Sequence, residues 1–138
     1  MEWLTTQTEY EGIPLLLRIP NYKNIWEYKS KYSQLISITH IFDIVKENGL
    51  PTSNYNKSLF DFDNEVIHLF DSENGIIFLV ETYGGARNYW FFGEDSKSIS
   101  KILNDLKRKN PEKNLEVDYQ TDTDWSFIQD YPVVLYKK

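Results

Sequence analysis

Polar side chains gather around one glycine pair: Glu81, Thr82 and Tyr83 precede Gly84-Gly85, and Arg87 and Asn88 follow it. A turn at that pair puts them at one end of a sheet, where Arg87 could hold a carboxylate or phosphate through paired hydrogen bonds. The plainer reading is a structural Arg–Glu pair beside a hairpin turn. His40 lies in the apolar run LISITHIFDI, and Trp90 lies in NYWFF just beyond Asn88. The candidate ligand- or partner-binding set is therefore His40, Glu81, Tyr83, Arg87, Asn88 and Trp90. If it forms an enzymatic pocket, His40, Glu81 and Arg87 must converge in a concavity.

Other chemistry finds little support. His68 falls off the apolar stripe of its segment, so solvent exposure is its default; His40 reads as a hydrogen-bonded sheet residue. A metal centre needs more ligands converging on these two histidines. The run Asp61-Phe62-Asp63-Asn64-Glu65 suggests calcium, but the loop lacks Gly at its sixth position and Glu at its twelfth. Aspartates on the exposed face of a helix are the simpler account. Asp122-Thr123-Asp124 lacks the glycine too. No phosphate-binding glycine loop surrounds Gly84-Gly85, and no serine sits in a nucleophile elbow. With no cysteine, thiolate metal sites, disulfides and a cysteine nucleophile are excluded. No metal, catalytic group or cofactor is expected.

These residues need a scaffold. Trp3 to Tyr10 and Ile13 to Ile19 read as a hairpin turning at Glu11-Gly12, with Pro14 favouring an edge position. Residues 21–34 are polar with scattered aromatics and read equally as a loop or a short helix. Leu35 to Ile44 is a strand with Ile36, Ile38, His40 and Phe42 on one face. A helix is expected from about Ser53–Asn56 to Phe70, burying Leu59, Phe62, Val66, Leu69 and Phe70. Gly75 to Gly93 is a hairpin; a two-residue primed turn sets Tyr83 opposite Ala86 and Glu81 opposite Asn88. One face then carries Ile76, Phe78, Val80, Thr82, Arg87, Tyr89 and Phe91, and the other carries Ile77, Leu79, Glu81, Tyr83, Asn88, Trp90 and Phe92. Both are apolar away from the turn, so both need covering. Glu94-Asp95-Ser96 looks like a helix start, and Ile99, Ile102, Leu103 and Leu106 mark the buried face of a second helix. Leu115 to Tyr119 is a short strand, Trp125 to Ile128 a helical turn, and VVLY a last edge strand.

From Leu35 onward the order is strand, helix, strand, strand, helix, strand. That predicts an α+β ferredoxin-like βαββαβ sandwich, mainly antiparallel, with an added N-terminal β-hairpin. A single domain over 1–138 is expected: hairpin 1–20, core 35–119, and tail 120–138 packed on the core. The Trp125 tail or the hairpin must cover the sheet face that the helices leave open.

Net charge is −6, which opposes nucleic-acid binding, since that depends on neutralising phosphates. Tyr89 to Phe92 could stack RNA bases on such a sheet, but the basic and glycine residues of those motifs are missing. No signal peptide or membrane-spanning run is visible, so a cytoplasmic location without membrane association is the expectation. Oligomeric state is not legible.

The segments EWLTTQTEYEGIPLLLRIP, ENGLP, LFDFDNEV, ETYGGARNYWFF and DTDWSFIQDYP, with the strand holding Thr39-His40, together resemble the bacterial domain-of-unknown-function family 695. The resemblance spans nearly the whole chain and implies a recurring domain without an established activity. That family is similar in context to the regulator of ribonuclease E activity B, a small ferredoxin-like inhibitor. Three functions compete. The leading expectation is a non-enzymatic regulatory or protein-binding module with a protein partner. The others are an immunity-type inhibitor of a basic toxin, and a small-ligand protein or enzyme using the polar residues at the hairpin turn.

Overall fold

The computed structural model describes residues 1–70, 73–95 and 97–138. It is a mixed α+β fold with six strands in one antiparallel sheet: β1 (Trp3–Tyr10), β2 (Ile13–Pro20), β3 (Gln34–Ile41), β4 (Gly75–Tyr83), β5 (Ala86–Gly93) and β6 (Asn114–Thr121). Their spatial order is β1-β2-β4-β5-β3-β6. Four helices accompany them among the described residues: α1 (Ser53–Ser58), α2 (Phe60–Ile67), α3 (Lys97–Lys109) and α4 (Ser126–Asp130), with a 3₁₀ turn at Ile25–Tyr28. Thus residues 21–33 resolve into a 3₁₀ turn flanked by loop, Gln34 already opens β3, and Ile25 and Tyr32 are buried.

The N-terminal hairpin extends the sheet and does not cover it. β2 pairs with β1 along its whole length, but with β4 only from Leu16 to Arg18. Pro14 lies beyond that second pairing, where its missing N–H leaves no ladder bond unmade.

The expected single helix after β3 is two. Leu59 adopts φ −90°, ψ 0°, and its N–H turns back to Asn56 and Lys57. On the near side of the break, Asn56 of α1 accepts from Arg87 of the hairpin, and Tyr55 packs edge-on against Phe42 at 5.7 Å. Phe62 and Val66 of α2, with Phe70, still bury against the sheet, whereas Leu69 is only half-buried. Ile99, Leu103 and Leu106 of α3 complete that layer. Lys107, Arg108 and Lys109 close its last turn, the favourable end for cations. The expected start of this helix rests partly on Ser96, which lies outside the described residues.

At the central hairpin the register near the turn is as expected, with Tyr83 opposite Ala86 and Glu81 opposite Asn88. Gly84 and Gly85 have φ +59° and +87°, as a type I′ turn requires. Farther along, a bulge between Ile77 and Leu79 changes the phase. Two residues there oppose one, so alternation restarts. Ile76 and Phe78 consequently join Leu79 and Phe92 on one face, while Ile77 joins Val80, Tyr89 and Phe91 on the other. The expected assignment of these three residues is reversed.

The face with Ile76 and Phe78 is covered by residues 22–32 and by the C-terminal tail. Trp125 is fully buried and stacks on Phe92 with ring centroids 4.1 Å apart. Its indole N–H donates to the Tyr32 carbonyl at 2.7 Å, which ties tail, 3₁₀ segment and sheet together. The VVLY segment forms no strand: Leu135 is buried, and the Tyr136 hydroxyl bonds the carbonyls of Pro20 and Phe78.

Candidate functional site

The six candidate residues divide between the two faces of the sheet. On α1 and α2's side, Arg87 is buried and fully engaged. Its Nε donates to Thr82 Oγ1 at 2.9 Å, one terminal nitrogen donates to Asn56 Oδ1 at 2.8 Å, and the other lies 3.6 Å from Asp63. Asp63 anchors this cluster. Arg18 grips both its oxygens at 2.9 and 2.7 Å, and the Tyr89 hydroxyl donates to it at 2.6 Å. Burial opposes ionisation of Asp63, but the hydrogen bonds and charge of Arg18, with Tyr89 and Arg87, outweigh it and lower its pKa. Burial, then the negative charge of Asp63, pushes the Tyr89 hydroxyl far above the ordinary phenol value, so it remains a donor.

His40 is on this face too, 2% exposed, with edge contacts to Phe42 and Phe62. Its Nδ1 is buried without a hydrogen-bond partner among the described residues. Burial, then the charges of Lys113 and Arg87, holds its pKa down at about 4. It is therefore a neutral ring wedged into an apolar layer. His68 is exposed, with Nδ1 2.9 Å from the Asn64 carbonyl.

Glu81, Tyr83, Asn88 and Trp90 occupy the opposite face. Here the floor of β4 and β5 meets α4 and the chain after it, leaving a groove of about 610 Å³. Glu81 Oε1 accepts from Asn88 Nδ2 at 3.0 Å and Trp90 Nε1 at 2.8 Å, and Oε2 accepts from the Tyr131 hydroxyl. Asn88 is oriented in turn by the Thr39 hydroxyl, 2.7 Å from its Oδ1. Burial and the adjacent Glu81 raise the pKa of Tyr131 well beyond the phenol range, which keeps its proton on this bond. Rings line the groove: Trp90 sits 4.2 Å from Phe127, Phe127 5.6 Å from Tyr131, and Tyr10 5.7 Å from Tyr83.

His40, Glu81 and Arg87 thus do not converge, because β-strand alternation sends the first and last through one face and Glu81 through the other. The glycine turn is pinned on its Gly85 side while Gly84 stays exposed. Gly85 N donates to the Gly49 carbonyl at 2.8 Å, and Gly85 O accepts from Phe42 N at 2.9 Å. Sequence reasoning missed Arg18, Asn56, Asp63 and Tyr89 on one face, and Tyr10, Phe127, Asp130 and Tyr131 on the other. Of the first group, Asp63 stood out only in a rejected calcium run and Tyr89 only as a stacking ring, and the lone arginine in IPLLLRIP was the remaining clue.

A family profile matches residues 2–132. The chain belongs to DUF695, a family of unknown function. No curated protein and no solved structure matches it. The DUF695 match covers both faces just described and carries no activity with it. It does not extend to the regulator of ribonuclease E activity B, so that likeness is not carried further. Among the described residues, no cluster of His, Asp or Glu is arranged to hold a metal ion, and no helix is long and apolar enough to cross a membrane.

Proposed function

We propose that this DUF695 chain is a non-enzymatic regulatory module that binds a segment of a protein partner in the aromatic groove. The groove carries the reading. It falls within the usual ~300–1,000 Å³ range of ligand sites, and its rings are of the type enriched where proteins meet. A single domain over 1–138, with the unit from β3 to β6 ferredoxin-like, belongs to the same proposal. Its support is the order β4-β5-β3-β6, with helices in the connections from β3 to β4 and from β5 to β6. A cytoplasmic bacterial setting is also proposed, and the lack of cysteine suits it. An inhibitor of a basic toxin is one form the module would take, given the net charge of −6.

Ser126 lines the groove, is exposed, and starts α4, so Ser126→Trp fills the groove without entering the core. Immobilised wild-type protein should capture a specific partner from a bacterial lysate, and Ser126→Trp should lose it. His68→Ala, on the other side of the sheet, should keep it. Equal capture by Ser126→Trp would remove the groove from the account.

A further inference from the structure

The chemistry of the groove's occupant follows from a contrast between two carboxylates, given the binding-module reading on which it rests. Asp63, on the helix side, is neutralised internally by Arg18 and Arg87. Glu81, on the groove side, takes hydrogen bonds only from neutral donors among the described residues: Asn88, Trp90 and Tyr131. A carboxylate offers about four acceptor positions, so one is left open on a group that lines the groove. Asp122 and Asp130 line it as well, and no Lys, Arg or His does among the described residues. Both Asp122 oxygens are occupied by the backbone N–H groups of Ser126 and Phe127. Asp130 is exposed at the end of α4.

The rings add to the same preference. Trp90, Phe127 and Tyr131 form a continuous aromatic run, and aromatic faces attract cations. The indole N–H of Trp90 is held on Glu81, so the ring and the charge occupy fixed relative positions before any ligand arrives.

The geometry points to an arginine-bearing segment of a basic protein as the occupant, its guanidinium stacked on the rings and hydrogen-bonded to Glu81. A planar guanidinium stacks and donates in its plane, whereas an ammonium is a strongly hydrated point charge. A protein segment fits better than a free amino acid, since one side chain fills only part of about 610 Å³. The chain's net charge of −6 also favours encounter with a basic partner.

The test uses the full chain labelled with ¹⁵N and a short Gly/Ser peptide carrying adjacent arginines. Controls are the same peptide with citrulline, the same peptide with glutamate, and free arginine. The arginine peptide should move the Trp90 indole and Asn88 side-chain amide resonances. Citrulline, and separately Glu81→Gln, should weaken binding about tenfold. Asp130→Lys, a change at an exposed position that leaves the core untouched, should also weaken the arginine peptide. Equal binding of the citrulline peptide overturns the cationic occupant but leaves the groove as a binding site. Binding unchanged by both Glu81→Gln and Asp130→Lys shows unspecific attraction to an acidic surface and also overturns it. Free arginine binding as tightly as the peptide overturns the protein segment. If no probe moves Trp90, the arginine proposal is refuted, and the lysate capture with Ser126→Trp decides separately whether the groove binds a partner.

Discussion

Replacing Asp63 with Asn should cost more stability than any other single polar change on the helix side of the sheet. The asparagine keeps the shape but leaves Arg18 and Arg87 without a counter-charge. Arg87 is the severe case, since its side chain is only 9% exposed, whereas Arg18, at 31%, recovers part of its solvation from water. Breaking a buried pair from one side costs about 3–5 kcal/mol; the exposure of Arg18 puts this case at the lower end, about 3 kcal/mol, or roughly 10 °C in Tm. The assay is urea unfolding of wild type and Asp63→Asn across pH. The folded-state pKa of Asp63 lies below its ordinary value of 3.8. Its contribution is therefore complete above that value and is lost as pH falls through the lower, folded-state pKa. The variant has no such group, so the gap should be widest at neutral pH and narrow on acidification below about pH 4. A loss under about 1 kcal/mol at pH 7 would place the pair among weak surface ion pairs. A gap that stays constant into acid would show that charge is not its origin. Either result refutes the reasoning.

Gly49 has φ +85°, and a Cβ there would sit 2.9 Å from the Gly84 Cα. Gly49→Ala should destabilise by about 2 kcal/mol or more by thermal unfolding, while Gly12→Ala, in open space at similar φ, should cost less; equal losses would show that the close approach does not matter. His40 should titrate at about pH 4 by NMR. Because its folded pKa lies below the unfolded value of 6.5, its contribution is complete above that value and stability falls as pH drops from about 6.5 toward 4; a His40 titration near 6.5 would contradict its burial. Trp125→Phe keeps a ring on Phe92 but removes the indole donor to Tyr32, and should cost about 1–3 kcal/mol by urea unfolding. A neutral result would mean the tail is held by apolar packing without that bond.

The strands were legible because alternation and turn residues marked them: IPLLLRI and the two arms around Gly84-Gly85 stand where the pattern puts them, and the strand expected from Leu35 to Ile44 is present but ends at Ile41. The bulge at Phe78 was not, since GIIFLV is apolar at every position and gives alternation nothing to count. The break at Leu59 was hidden for a related reason. The apolar spacing runs through it, and the partners that α1 takes before the break, Phe42 and Arg87, are distant in sequence. Around the candidate site, Glu81, Asn88 and Trp90 were found together because they share one hairpin face. Tyr131 was out of reach: it bonds to Glu81 across 50 residues. Asp63 read as a solvated helix aspartate because nothing local announces Arg18.

The sheet order also sets a timetable for synthesis. β3 lies between β5 and β6, and both come later in the chain. Thr39 and Asn88, bonded across β3 and β5, are 49 residues apart. At about 5–20 residues per second, the ribosome needs roughly 2–10 s to supply that partner. Until then the apolar strand QLISITHI has neither edge paired, while the β1–β2 hairpin can already close on itself. A nascent chain stalled between β3 and β5 should therefore be a good substrate for chaperones that recognise extended apolar segments, and one released past β6 should not.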